Sequence, residues 1–405
     1  MRLTKSQHKN LISYGDKTMK QTMILAMVAA AALTACGGGG DSSAPVAPGP
    51  TPPISVAPDP VNIASLATVT AAGLTVIPAA ADEETYDVAA DLGDTWRITF
   101  NIRTGAYTIR VLSTQFSLQS QTGVAVRTVS GNLVTYTANA PGRFVLVIDT
   151  RTKTISGNVT LGGRATTVAG TGYTAPDLSK LAGIYSYFGS QRNAIGGLNS
   201  QFLAGQLRIA ANGATATICD GGTVDASDNC ARVGTKVLSK ETLTLTKNPV
   251  TQLIDVKING NNFGVLNVKA GDRGPVLLLD RFGFNLGGTG TILTVGGIYA
   301  VKPSRLTGTE ANGTYACSIS GQEVATFTAA GTSATITERT TGKVTQEVLA
   351  YNQLAVTGQI LPFDGTLTSR VPGEAITEAA NILPLSSSLI VVEGDRSTGL
   401  CLKTS

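Results

Sequence analysis

The chain has 405 residues, of which 14% are charged and 5% aromatic, with 46 glycines and a single histidine, His8. Its formal charge of +4 is carried ahead of residue 36: residues 1–35 hold Arg2, Lys5, Lys9, Lys17 and Lys20 against Asp16, which leaves 26 basic and 26 acidic residues downstream. That neutral remainder gives nucleic-acid binding no support, and without histidine it excludes Ser-His-Asp and Cys-His catalysis and any histidine-ligated zinc, copper or haem.

Met23–Leu33 is a run of eleven apolar residues behind Lys20, the length of a signal-peptide core and too short to span a bilayer as a helix. Residues 1–18 do not fit a signal peptide, and Met19-Lys20-Gln21-Thr22 is the expected true start. The run ends in Leu33-Thr34-Ala35-Cys36, which resembles the lipobox of bacterial lipoproteins. The resemblance implies that the Cys36 thiol is acylated, that the chain is cut before it, and that the new N-terminus carries three fatty chains. Several chains matter because one alone holds a protein only marginally. Gly37 follows Cys36 where an inner-membrane retention signal would place Asp, so the resemblance favours lipid anchoring in the outer membrane, with the leaflet left open. Residues 36–60 are then a Gly/Ser/Pro-rich tether, with seven of the chain's sixteen prolines between Pro45 and Pro60. Such a tether extends by roughly 3 Å per residue.

Downstream, abundant Gly, Thr, Val and Ala in short runs predict an all-β protein, with antiparallel meanders forming two or three small barrels or sandwiches. Residues 61–175 form the expected N-terminal β domain. There "TWRITFNIRTGAYTIRVL" alternates Trp96, Ile98 and Phe100 on one face, turns at Gly105, and resumes with Tyr107, Ile109 and Val111. "PDLSKLAG", at the start of the middle β domain (176–294), predicts one helical turn. The C-terminal β domain is expected over 295–405, because Gly297-Ile298-Tyr299 repeats Gly183-Ile184-Tyr185 and suggests a duplicated module. Gly373–Leu383 is the best helix candidate.

With Cys36 assigned to lipid, Cys219, Cys230, Cys317 and Cys401 form an even set, which outside the cytoplasm implies disulfides in one of three connectivities. Spacing favours Cys219–Cys230 across a Gly/Asp-rich turn and Cys317–Cys401 tying the last strand back into its domain. The "CDGGTVDASDNC" loop also brings Asp220, Asp225 and Asp228 near one another in sequence, a weak candidate for Ca²⁺ without EF-hand spacing. Acids on solvated turns are the ordinary alternative, so no metal and no cofactor is expected.

No G-x-S-x-G or phosphate-cradling loop occurs. "FVLVIDTRT" (Phe144–Thr152) resembles the aspartic-protease signature, but Arg151 stands where that family needs Gly or Ser, and the second candidate, Asp280, lacks the Thr. "RFVLVIDTRTKTISGNVTLGG" is similar to the strand repeats of transferrin-binding-protein-like surface lipoproteins, a likeness of architecture over some twenty residues. The expectation is a lipid-anchored outer-membrane lipoprotein whose β-rich ectodomain is non-enzymatic. It would bind or support an envelope or extracellular protein, a glycan or a small ligand. The alternatives are a carboxylate-based glycan hydrolase and a small-ligand carrier built on an open barrel.

Overall fold

The computed structural model describes residues 59–194, 200–284, 293–356, 358–394 and 397–404. Cys36, the lipobox and the tether up to residue 58 lie outside them. The described chain is all-β: three antiparallel meanders follow one another, each wrapped round its own core.

The first meander runs from Glu83–Ala90 to Arg164–Thr171, and those two strands pair with each other. Its sheet edges, Gln121–Val124 and Val126–Ser130, are consecutive in the chain and separated only by Ala125, whose N–H donates to Gly105 O at 2.8 Å. The sheet therefore curls until its edges meet end to end, giving a nearly closed barrel. The second meander, from Gly183–Asn193 to Leu293–Val301, and the third, from Gly313–Ile319 to Thr398–Lys403, are closed eight-stranded barrels. Closure removes the unpaired strand edges that would otherwise invite aggregation.

Period-two alternation fills the interiors. Trp96, Ile98 and Phe100 are fully buried in the first barrel, where Phe100 stacks on Tyr136 with ring centroids 3.9 Å apart. Tyr185, Tyr187, Leu277 and Leu279 point into the second barrel, and Tyr315, Phe327 and Ile390 into the third. Among the described residues, a small void of about 10 Å³ in the third barrel is bounded by Cys317, Phe327 and Ile382, room for about one water.

The helix Pro60–Ala71 starts where Asp59 accepts from Val61 N at 2.8 Å with proline at the first helical position. It lies along Asn261–Gly271, with buried Ser65 donating to Ala270 O, and the Ala72 and Leu74 that follow it extend the second barrel's core. The "PDLSKLAG" segment forms the expected single turn, a 3-10 turn over Leu178–Leu181.

Three expectations are corrected. Leu293–Val301 is the last strand of the second barrel, not the start of a third module, so that barrel runs across the boundary drawn at 294/295. The two Gly-Ile-Tyr triplets are consequently not repeated openings: they lie on the first and last strands of one barrel, which pair with Gly189 opposite Ile298. Gly189 marks close strand approach there, since a Cβ on it would come 2.6 Å from Gly297 O. Finally, Gly373–Leu383 is not a helix but a turn, a 3-10 turn at Ile376–Glu378 and the start of strand Ala380–Ser386. Ile382 enters the third barrel's core while Leu383 faces outward into another apolar cluster, so the run is apolar on both faces of a strand.

That second cluster is what joins the barrels. Phe188, Val276, Leu278 and Tyr299 on the outside of the second barrel pack with Leu354, Leu383, Leu389 and Leu402 on the outside of the third, and Ala169 of the first joins them. Among the described residues, no helix is long and apolar enough to cross a membrane.

Candidate functional site

Among the described residues, a cavity of about 430 Å³ opens between the second and third barrels, a size that suits a small molecule. Its apolar wall is Phe202, Leu354, Val356 and Ile376, and its polar groups include Lys236, Asn381 and Glu393.

Lys236 is placed by the disulfide loop. Strand Thr215–Asp220 carries Cys219, bonded to Cys230 on the far arm of a short hairpin, Gly222–Val224 with Cys230–Arg232. After the hairpin, Val233 N donates back to Gly221 O at 2.9 Å, and the loop leans on the third barrel at Gly234, where a Cβ would meet Leu361 at 2.8 Å. The Lys236 ammonium then sits 5.4 Å from the centroid of the Phe202 ring. Burial lowers its pKa, and Asp220 and Glu393 oppose that shift through space.

The facing wall is fixed by Asn381. Its side-chain amide donates to Ala355 O (3.0 Å) and accepts from Ala355 N (2.7 Å), as a backbone peptide would. The same Nδ2 donates to Glu393 Oε2 at 2.6 Å, and the Asn381 N–H points at that oxygen as well. Two strands and an acid are thereby tied at one point.

No protein-family model matches this chain, and no curated protein matches it either. The site is read from its geometry.

The residues singled out in the sequence take the following places. Both favoured disulfides form, Cys219–Cys230 and Cys317–Cys401. Asp220, Asp225 and Asp228 are not brought together. Asp220 is half-buried, accepting from Tyr187 Oη (3.1 Å) and Ala204 N, with its pKa raised by desolvation. Asp225 caps its own turn through Ser227 N and Asn229 N, and Asp228 pairs with Arg208 at 2.9 Å. Among the described residues no group of three His, Cys, Asp or Glu side chains is arranged to hold a metal. The two strand-end acids likewise have separate duties: Asp149 holds Arg151 through both oxygens, and Asp280 accepts from Thr95 at 2.6 Å across the junction of the first two barrels.

Lys236, Asn381 and Glu393 were not singled out in the sequence: Asn381 and Glu393 meet on neighbouring strands of the third barrel, and Lys236 of the second joins them only when the barrels dock. The one signal near them is the cysteine pair that anchors the Lys236 loop. Also missed is Lys269, which is fully buried and donates to Ser386 Oγ at 2.7 Å; Ser388 Oγ lies 3.2 Å further on. Burial lowers the Lys269 pKa to about 8. A lysine of that pKa beside a serine has the makings of a nucleophile and its base, but all three side chains are sealed from solvent, so the group serves as a polar bridge between barrels.

Proposed function

We propose that this chain is a lipid-anchored lipoprotein of the outer membrane, acylated at Cys36, whose three barrels form a non-enzymatic binding ectodomain. The lipobox and tether support the anchor. The observation that carries the binding role is the placement of space: among the described residues the second and third barrels are lined inside by apolar side chains, while the cleft of about 430 Å³ between them is built from a stapled loop and a fixed wall. A glycan hydrolase would need two carboxyls facing one another about 5–10 Å apart in a cleft. Glu393 is the acid that lines this one, and Asn381 engages it.

Fractionation tests the reading. Wild-type chain expressed in a bacterial host is expected to sediment with the outer membrane and to incorporate labelled palmitate, whereas Cys36→Ser is expected to leave the membrane fraction unlabelled. A Cys36→Ser chain that still sediments with membranes would remove the lipid anchor at Cys36.

A further inference from the structure

We infer that the helix Pro60–Ala71 rests on the bilayer, with Ile63 and Leu66 dipping into the lipid surface to which the chain is tied. The inference rests on the anchor at Cys36 and adds how the ectodomain meets the membrane.

The helix is packed the wrong way round. Its buried residues are Ser65 and Thr68, and the Ser65 hydroxyl donates to Ala270 O at 3.3 Å. Half-buried Val69 packs against the second barrel's core. Ile63 and Leu66 are instead 54% and 52% exposed. They are three residues apart, hence neighbours on one face, and Ala67 beside them is exposed as well. A surface helix ordinarily turns its aliphatic stripe to the core and its polar side chains to water. This one shows its two largest aliphatic side chains to the outside.

Charge is missing from this stretch. Residues 60–81 contain no Asp, Glu, Lys or Arg, and exposed Val76, Pro78 and Ala79 follow the helix. No charge within it would have to be stripped of water on entering lipid. Asp59, at its start, caps the first turn and pairs with Arg151 at 3.4 Å. Its place in the chain then selects the partner. The helix follows directly on the tether, which holds this face within about 70 Å of the acylated Cys36. Two half-exposed side chains offer far less than the roughly 1,200 Å² that a stable protein interface buries. A face already held beside lipid needs no such area. The anchor makes its docking intramolecular, at an effective concentration on the order of millimolar, and a chain without the anchor gains too little to stay bound.

Brominated lipid is the probe, because bromine quenches tryptophan only at close range. The chain's one tryptophan, Trp96, is fully buried in the first barrel, and Ala67→Trp adds a second on the helix face. Acylated full chain is reconstituted in phosphatidylcholine vesicles with plain or brominated tails. Ala67→Trp is expected to lose half or more of its added fluorescence to bromine, and Val344→Trp, at an exposed position on the third barrel, to lose little. Ile63→Glu with Leu66→Glu, added to Ala67→Trp, is expected to abolish the quenching while the chain still sediments with the vesicles. Glutamate is a good helix former, so the helix is kept, and urea unfolding shows that each variant is folded. In the chain without added tryptophan, exchange of the helix amides is expected to be about tenfold slower on vesicles than in the Cys36→Ser chain in solution. Equal quenching at positions 67 and 344, quenching that survives the two glutamates, or unchanged exchange would overturn the resting face. So would a Cys36→Ser chain that is dimeric until Ile63→Glu is added, which would give the face to a second copy. Failure of the chain to enter vesicles removes the anchor and this inference with it, and sedimentation reads that before any fluorescence is taken.

Discussion

The second and third barrels close in different ways. The second joins its first and last strands along eight register pairs, Ser186 opposite Val301 through Asn193 opposite Thr294, and its disulfide lies elsewhere, in a side hairpin. The third joins its ends along four pairs, and one of the four is Cys317 opposite Cys401, linked as a disulfide. A meander closes only when its first and last strands meet, and that meeting carries the loop entropy of everything between them. A long seam offsets the cost with ladder hydrogen bonds and close packing; a short one needs a covalent link.

Breaking the link is the harshest test. Cys317→Ala with Cys401→Ala frees a span of 84 residues and is expected to lower the unfolding free energy by about 4–5 kcal/mol. Cys219→Ala with Cys230→Ala frees a span of 11 and is expected to cost about 3 kcal/mol. Urea unfolding of the full chain measures both, and hydrogen exchange along Gly313–Ile319 should rise only in the first pair. Equal losses would show that the seam does not depend on its link.

How much of this could be read beforehand follows from what alternation encodes. "TWRITF" is a strand with one face inside a barrel, and its period of two shows plainly. "GPVLLLDRFGF" is apolar on both faces: Leu277 and Leu279 fill the second barrel while Val276 and Leu278 pack on the third. An unbroken apolar run says strand, but not that its outer face belongs to a neighbouring barrel. Docking was therefore illegible, and with it the cleft, since Lys236 meets Asn381 and Glu393 only across that contact. The cysteine pairs were legible because each closes a structure already implied by the strands around it. The helix at Pro60–Ala71 left a readable sign in Asp59-Pro60, a cap followed by proline at the first turn, which the Ala-rich stretch behind it obscured.

Lys269 sharpens the comparison by probing what holds the two barrels to each other. Its ammonium is buried against Ser386 of the third barrel, with Asp272 and Asp149 favouring the charge and Arg273 opposing it. Burial dominates, so the folded chain releases the Lys269 proton near pH 8, whereas the unfolded chain keeps it up to the ordinary lysine value of 10.5. Between those values the unfolded state binds more protons, and raising the pH must favour the fold. Compared with Lys269→Met, which cannot titrate, the wild type is expected to gain on the order of 3 kcal/mol from pH 7 to pH 10.5. Taking the difference between the two proteins at each pH cancels the other titrating groups. A flat or falling difference would mean that Lys269 stays protonated and is held by its acids.

The long seam has its own point of failure, subtler than a missing disulfide. Gly296 lies opposite Gln191, and a Cβ there would run into the Ser190 carbonyl oxygen, a backbone atom that cannot swing aside. Neighbouring Gly297 lies opposite Ser190, but its Cβ would meet the Tyr299 hydroxyl at 2.7 Å, the far end of a side chain. Gly296→Ala should therefore push the two strands apart and cost about 1–3 kcal/mol, whereas Gly297→Ala should cost less as Tyr299 shifts. Hydrogen exchange at the Ser190 and Gln191 amides, read beside urea unfolding, separates the two. If the seam holds by ladder hydrogen bonds alone, with room to spare between its strands, both substitutions will leave exchange unchanged. If it holds because glycine lets the strands approach closely, Gly296→Ala will open the barrel where no disulfide stands ready to keep it shut.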